Sequence, residues 1–259
     1  MAIETGKLLT LSPQEIVSCA KNPSHCGGTG GCQGSTQWLG FNYTIGAGLV
    51  TESTYPYEGS TGVCRTAKTS PPAIGIKGCV RLPANNYTIL MNAVATVGPI
   101  SISAAAEPWQ LYSSGVFNGA CGADVDHAIQ AVGYGTSGSD TYWLVRNSWG
   151  SGWGEEGYIR IKRTGLKRPC ALDTTPADGT PIPSPLPPDP SPLPPLPIPT
   201  PAPTPPHTLP QPLPCPSPKG TGCTGGPSTM NVCGLCGMLS DSSYVTGGFV
   251  AADASVEVS

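Results

Sequence analysis

Apolar and polar residues alternate in short runs through the second half of the chain, and Gly or Ser turns separate the runs. The clearest runs are PISISA (99–104), HAIQAVGYG (127–135), TYWLVRNSW (141–149) and GYIRIKR (157–163). A repeat of two places successive side chains on opposite faces, which is typical of β-strands with one buried face. This pattern predicts an antiparallel sheet or barrel in the second half.

Helix signals dominate the first half instead. Ser12 followed by Glu15 is a capping box and Pro13 fits the first helical position, so a helix is predicted to begin here after a turn at Thr5-Gly6. Residues 36–48 suit another helix, which ends at the glycines at 46 and 48. A mainly helical first half followed by strands predicts an α+β fold.

Composition divides the chain into three predicted segments. Residues 1–178 have a globular composition and are numerous enough to bury a core. Residues 181–214 hold 18 prolines in 34 positions, which predicts an exposed polyproline II linker because proline has no N–H to donate to a sheet or helix. Residues 215–259 are a cysteine-containing tail or, alternatively, the closing part of the globular domain.

Charge and cysteine content narrow the function classes. The formal net charge of −3 comes without a basic cluster, and no apolar stretch is long enough to cross a bilayer. We therefore expect neither nucleic acid nor a membrane as a partner, and we expect a monomer. Eleven cysteines, together with sequons that make Asn42 and Asn86 glycosylation candidates, favour an oxidising compartment on the secretory route.

Two blocks, DVDHAIQAVGYG and YWLVRNSWGSGWGEEGYIRIKR, together resemble the papain-like cysteine peptidases of the cathepsin L-type branch. LTLSPQEIVSC, TYPYEG, GPISISA and LYSSGVF extend the resemblance over residues 1 to about 178. The resemblance implies a papain-like fold, with a partial helical lobe and an antiparallel β-barrel lobe. It also implies hydrolysis of peptide bonds in polypeptide substrates.

The resemblance assigns roles to residues in both blocks. A cysteine nucleophile works as thiolate, so an imidazolium beside it must lower its pKa. In this chain His127 matches the family's general acid/base, and Asn147 matches the residue that orients the imidazole. Trp149 matches the residue that shields their hydrogen bond from water. The resemblance also implies substrate-binding positions, which are Gly34, Ser35, Ala128 and Trp149.

The family's nucleophile signature, C-G-[SA]-C-[WY], does not occur in these 259 residues. Counting back from His127 and Asn147 by the family's spacing of about 130–150 residues leads to a position just before Met1. Met1 is also not followed by a signal-peptide pattern. We therefore expect that the nucleophile segment, the prosegment and the leader lie upstream of this chain, and that the chain as written does not catalyse.

The resemblance also suggests disulfide pairs. Cys19 is expected to pair with Cys64, and Cys121 with a cysteine that follows the GYIRIKR strand. Cys170 fits that place by spacing and is slightly favoured, whereas Cys236 fits it better by sequence. Cys26 and Cys79 are candidates for an extra pair with each other, which leaves Cys32 unpaired. Because Cys233 and Cys236 have no second cysteine pair at zinc spacing, neither a metal nor a cofactor is predicted.

Three functions remain open at this point. The first is a cysteine-type endopeptidase whose parent protein uses a Cys-His-Asn mechanism in a lysosome, a vacuole or outside the cell. The second is a non-catalytic homologue that binds peptides or inhibits a peptidase. The third is a proline-rich extracellular structural protein, in which the proline tract contacts cell-wall components or protein inhibitors.

Overall fold

Helices come mainly from the first half of the chain and strands mainly from the second, as the sequence pattern predicts. The computed structural model of the protein describes residues 2–165, 170–176 and 223–251. Its helices are α1 (Ala2–Thr5), α2 (Pro13–Cys19), α3 (Gln37–Ala47) and α4 (Tyr87–Thr96). Its strands are β1 (Ile74–Gly75), β2 (Gly78–Arg81), β3 (Ile100–Ala104), β4 (Val116–Phe117), β5 (His127–Ser137), β6 (Asp140–Arg146), β7 (Tyr158–Lys162), β8 (Ala171–Asp173), β9 (Met230–Val232), β10 (Ser242–Thr246) and β11 (Phe249–Val250).

The main sheet is mixed and mostly antiparallel. Within the described ranges it has seven strands in the order β2-β10-β3-β5-β6-β7-β4, and only the pairing of β4 with β7 is parallel. The end strands β2 and β4 are not paired with each other, so the sheet is open rather than the expected closed barrel. The α+β class is as predicted, and the barrel description is corrected.

The strand pattern in the sequence corresponds to a buried face of this sheet. Ile100 and Ile102 on β3, with Ile159 and Ile161 on β7, have no exposed surface. They pack in one core with Trp109, the largest fully buried side chain of the described chain. This core supports the strands that carry the candidate catalytic residues.

The predicted capping box is half formed. Ser12 caps α2 by accepting a hydrogen bond from the backbone N–H of Glu15, with Pro13 at the first helical position. The Glu15 carboxylate does not return to the backbone of Ser12, whose N–H donates to the Val50 carbonyl. Instead it accepts from the Tyr43 hydroxyl and the Val50 N–H, both at 2.8 Å. Glu15 therefore joins α2 to α3 and to the segment after it.

Of the two predicted glycosylation candidates, one lies on a helix and the other directly before a helix. Asn42 is exposed within α3, which spans the predicted residues and is followed by Gly48 at φ 75°. Asn86 is exposed and caps α4 by accepting a hydrogen bond from the N–H of Ile89. Their glycosylation stays a prediction.

One disulfide is formed as expected, and the choice favoured for another is wrong. Cys19 is bonded to Cys64. Cys121 is bonded to Cys236 and not to the favoured Cys170. The physical reason is that Cys170 directly precedes β8, which pairs with β9 and thereby brings Cys170 to Cys233, its actual partner.

The suggested pair of Cys26 and Cys79 is also wrong. Cys26 is bonded to Cys223, where the N–H of Thr224 donates to the Ser24 carbonyl and draws the two segments together. Cys79 takes part in another disulfide. Cys32 is the unpaired cysteine of the described residues, as expected.

Strands from the last part of the chain complete the sheets. β10 lies between β2 and β3, β9 pairs with β8, and β11 pairs with β1. The predicted linker at 181–214 lies outside the described residues, and the three segment boundaries stay a prediction. Across the ranges described, no helix is both long and apolar enough to cross a membrane.

Candidate active site

The pairing of β5 with β6 brings the two predicted catalytic positions together. Gln130 on β5 is the Cα partner of Arg146 on β6, so His127 at the start of β5 lies close to Asn147, just after β6. Nε2 of His127 is 2.8 Å from Oδ1 of Asn147. Strand register therefore brings the two residues of the predicted pair together.

The side-chain amide of Asn147 is fixed in one orientation. Asn147 is only 4% exposed, and its Oδ1 also accepts a hydrogen bond from the Ser148 N–H at 2.8 Å. The Oδ1 atom of Asn147 can only accept hydrogen bonds, so the imidazole nitrogen that faces it must be a donor. Nε2 of His127 therefore carries the proton. Nδ1 of His127 is then the nitrogen available for proton exchange with a reacting group.

Trp149 covers this hydrogen bond. Its ring centroid lies 5.3 Å from the His127 ring at 30°, and it is 2% exposed. Trp153 packs edge-on against it, with the centroids 5.1 Å apart at 79°. This stack keeps water from the hydrogen bond and strengthens it by lowering the local dielectric.

Burial lowers the pKa of the His127 imidazole, and the hydrogen bond to Asn147 partly opposes this shift. The neutral imidazole is therefore favoured, which suits a proton acceptor near neutral pH. A thiolate placed near Nδ1 would favour the imidazolium instead, because opposite charges stabilise one another. The chemistry of this pair therefore depends on what faces Nδ1.

The residue before His127 is a second titratable group of the site. Burial raises the pKa of the Asp126 carboxyl to about 6. Oδ1 of Asp126 accepts a hydrogen bond from the Ala106 N–H at 3.1 Å, which acts in the opposite direction. Asp126 therefore changes charge in the range where the site is expected to work.

The raised pKa of Asp126 predicts a pH-dependent stability difference between the protein and its Asp126→Asn variant. Between about pH 4 and about pH 6 the folded state holds a proton that the unfolded state releases. The contribution of Asp126 to the free energy of unfolding is thus fully present at about pH 4 and is lost as pH rises through about 6. We expect the free energy of unfolding of the native protein to fall relative to the variant over this range, measured by denaturant unfolding.

The exposed Glu156→Gln variant controls for the loss of one negative charge. A native protein that becomes more stable relative to the Asp126→Asn variant as pH rises would contradict this assignment.

The predicted substrate loop has the backbone geometry of a tight turn. Gly34 ends a short 3-10 helix, Gly31–Gln33, with φ 98° and ψ 149°, a conformation open to glycine. A Cβ added at Gly28 would lie 2.1 Å from the carbonyl oxygen of Gln33, so the loop is closely packed. Ser35 is exposed beside it. Substrate binding by Gly34 and Ser35 stays a prediction.

A polar cluster lies next to Ala128, one of the predicted substrate-binding positions. Ala128 is exposed, and its Cα partner on β3 is Ser103. The Ser103 hydroxyl is 3.4 Å from Oδ2 of Asp241, and Nε2 of Gln37 donates to the same oxygen at 2.6 Å. Burial raises the pKa of Asp241. Nothing in the sequence links Asp241 to this place, because it follows the proline tract.

One described cysteine carries a free thiol. Of the ten described cysteines, nine are in disulfides and Cys32 is unpaired. Cys32 is exposed, and its backbone N–H donates to the Thr61 hydroxyl at 2.8 Å. No group of three or more His, Cys, Asp or Glu side chains in the described ranges could hold a metal ion.

The shielded pair of His127 and Asn147 thus lies where two neighbouring strands of the open sheet end. Residues 1–179 match the papain family cysteine proteases, and the chain belongs to this family. It is 43% identical to chymopapain of Carica papaya over 163 residues, which cover 62% of this chain and 44% of chymopapain. The cysteine endopeptidase RepA of Oryza sativa subsp. japonica is also 43% identical, over 164 residues.

Solved structures show the same fold. The bromelain protease of Ananas comosus, in complex with the E64 inhibitor, has a TM-score of 0.63 at 29% identity over 95% of this chain and 81% of that chain. The Carica candamarcensis protease CMS1MS2 has a TM-score of 0.60 at 30% identity over 93% of this chain and 79% of that chain. The papain-like fold is therefore confirmed. The chain spans less than half the length of chymopapain and RepA.

Proposed function

We propose that this chain supplies the proton-transfer part of a cysteine-type endopeptidase that acts on polypeptides. The observation that carries the proposal is the 2.8 Å contact between Nε2 of His127 and Oδ1 of Asn147, shielded by Trp149. Residues 1–259 lack the family's nucleophile signature. We therefore infer that this chain does not hydrolyse peptide bonds unless a cysteine faces Nδ1 of His127.

The proposed mechanism uses His127 twice. In the first half, a thiolate attacks the scissile carbonyl carbon, and Nδ1–H of His127 donates its proton to the leaving amine as the C–N bond breaks. In the second half, the neutral imidazole accepts a proton from water, and the resulting hydroxide attacks the thioester and releases the thiolate. Asn147 holds the ring in plane for both transfers by accepting from Nε2.

Peptide would be held beside His127 and Asn147 by the predicted substrate-binding residues, which lie in the loop at Gly34 and Ser35 and on β5 at Ala128. We propose that the backbone of Gly34 and Ser35 pairs with the peptide and that Ala128 contacts a substrate side chain. The carboxylate of Asp241 near Ser103, the Cα partner of Ala128, makes this side of the site more polar than an apolar pocket.

The proposal is tested by supplying the nucleophile. The chain alone is compared with a fusion in which a papain-family segment containing the C-G-[SA]-C-[WY] signature precedes Met1, using an unspecific fluorogenic peptide mixture. We expect no thiol-dependent turnover by the chain alone, and turnover by the fusion that stops after alkylation. The matched control is the same fusion with its nucleophilic cysteine replaced by serine.

Thiol-dependent hydrolysis by residues 1–259 alone would contradict the inferred role of the missing signature. A folded fusion without turnover would contradict the endopeptidase proposal.

A second function is favoured by the cysteine pairing itself. Cys32 is the unpaired cysteine of the described residues and the other nine are in disulfides, so a non-catalytic homologue that binds peptides is consistent with this structure. Such a protein would bind peptide without cleaving it, in the chain alone and in the fusion. The third reading, a structural role of the proline tract, concerns residues outside the described ranges.

We propose the secretory route as the location, towards a lysosome, a vacuole or the outside of the cell. The disulfides Cys19–Cys64, Cys26–Cys223, Cys121–Cys236 and Cys170–Cys233 support this proposal, because such bonds persist in oxidising compartments. A KDEL-tailed cysteine endopeptidase of Arabidopsis thaliana is 41% identical to this chain over 164 residues. Polypeptides are the proposed partners.

A further inference from the structure

His127 is the first residue of β5, so its position depends on what holds the residues directly before it. The backbone at the end of a structural element opens at a lower free energy than the backbone in its middle. The Asp126 N–H donates to the Ala104 carbonyl at 3.2 Å, and Oδ1 of Asp126 accepts from the Ala106 N–H. These contacts join the residue before His127 to the end of β3.

A second contact to these residues comes from Asp173, the last residue of β8. Its Oδ2 accepts a hydrogen bond from the Val125 N–H at 3.3 Å, two residues before His127. Its Oδ1 accepts from the Thr175 N–H at 2.9 Å, which fixes the direction of the carboxylate. Asp173 is only 1% exposed. Burial of a carboxylate is costly unless its oxygens accept hydrogen bonds, so these two contacts hold Asp173 in the fold.

The strand that carries Asp173 is itself fixed. β8 pairs antiparallel with β9, where Asp173 is the Cα partner of Met230. Cys170, directly before β8, is bonded to Cys233, directly after β9. Strand pairing and a disulfide therefore give Asp173 a firm support, although β8 is not part of the main sheet.

The two-stranded sheet of β8 and β9 also packs against the side chain of Val125. A Cβ added at Gly237 would lie 2.8 Å from Cγ2 of Val125 and 3.2 Å from Cβ of Val232 on β9. The side chains of both valines thus lie over this glycine, where no larger residue would fit. Val125 is therefore held by its backbone and by its side chain, and both contacts come from residues that follow β7 in the sequence.

We propose that Asp173 is a positioning residue for His127. By accepting from the Val125 N–H, Asp173 holds the backbone that leads into β5. The His127 ring then stays within hydrogen-bond distance of Asn147. A displacement of about 1 Å at a reacting group can cost about 10²-fold in rate. This role rests on the proposed function, but the position of the ring can be measured without turnover.

The first measurement is the exchange of the Nε2 proton of His127 with water, followed by NMR in the isotope-labelled full chain. Asp173→Leu and Asp173→Ala both remove the acceptor, and only the first keeps a side chain of similar shape. In whichever of them folds, we expect exchange about tenfold faster than in the native chain, because the hydrogen bond to Asn147 opens more often. Asp173→Asn keeps one acceptor oxygen and should give a smaller increase. Leu172→Ala, on the same strand and 52% exposed, is the matched control.

The second measurement is steady-state hydrolysis by the fusion that carries the nucleophile. We expect Asp173→Leu to lower kcat by about tenfold to a hundredfold with little change in KM, because Asp173 acts on the proton-transfer group only through the backbone. Leu172→Ala should leave both constants unchanged.

Equal exchange of the His127 proton in the native chain and in the folded variants without the acceptor would overturn the proposal. So would faster exchange that extends equally to the backbone N–H of Ile159, which lies in the core with no exposed surface, because the effect would then be global. An inactive native fusion combined with faster exchange at His127 alone would refute the proposed function and support the positioning role.

Discussion

Replacing His127 by alanine in the fusion that carries the nucleophile is expected to lower kcat by about a thousandfold, with a smaller effect on KM. General acid–base catalysis by one positioned side chain contributes about 10² to 10⁴ in rate. In the proposed mechanism His127 is that side chain, because Asn147 and Trp149 fix and shield its ring. The measurement is steady-state hydrolysis of a fluorogenic peptide by both fusions.

The Asn147→Ala variant separates orientation from proton transfer. It leaves an imidazole in place but removes the acceptor of Nε2–H, so we expect a smaller loss of kcat than with His127→Ala. The matched control is His25→Asn, because His25 is exposed at φ 47°, a conformation that asparagine tolerates. A His127→Ala fusion with activity within about tenfold of its parent would contradict the assigned role.

Replacing Trp109 by alanine is expected to lower the free energy of unfolding by about 3–5 kcal/mol, the range found when large buried aromatic side chains are truncated. Trp109 has no exposed surface. Its indole Nε1 donates to the sulfur of Cys236 at 3.3 Å, and its carbonyl accepts from the indole of Trp153 at 3.2 Å. The variant would leave a cavity at the centre of the core.

A loss of this size is a large part of the total stability of a typical domain, which is about 5–15 kcal/mol. We therefore expect much less folded protein, and a clear fall in the denaturant midpoint of what remains. Leu111→Ala is the matched control, because Leu111 lies two residues further on and is 96% exposed. Equal midpoints for the two variants would show that the core around Trp109 does not carry the stability assigned to it.

The candidate site was predictable from sequence where it depends on local pattern. The strand runs around His127 and before Asn147 are read directly from alternation, and the register of two neighbouring strands in sequence brings their ends together. The helix α2 was predictable for the same reason, since its cap involves residues three positions apart. Asp126 was not singled out, because its raised pKa comes from burial, which sequence pattern does not show.

Other features of the structure, such as the disulfide of Cys121, depend on contacts between segments that are far apart in sequence. The sequence offered two partners for Cys121, which were Cys170 by spacing and Cys236 by resemblance, because both follow the last predicted strand. The pairing of β8 with β9 brings Cys170 to Cys233 and leaves Cys236 for Cys121. Long-range strand pairing therefore decides between Cys170 and Cys236, which lie on opposite sides of the proline tract.

The sequence by itself determined the class of fold, the strands at the site, and the pairing of His127 with Asn147, because period, caps and family blocks are local properties. Only the tertiary structure decided that the sheet is open, that β10 lies between β2 and β3, and that Asp241 comes to the side of Ala128. These contacts join residues more than a hundred positions apart. Their free energy comes from burial and backbone pairing in the folded chain.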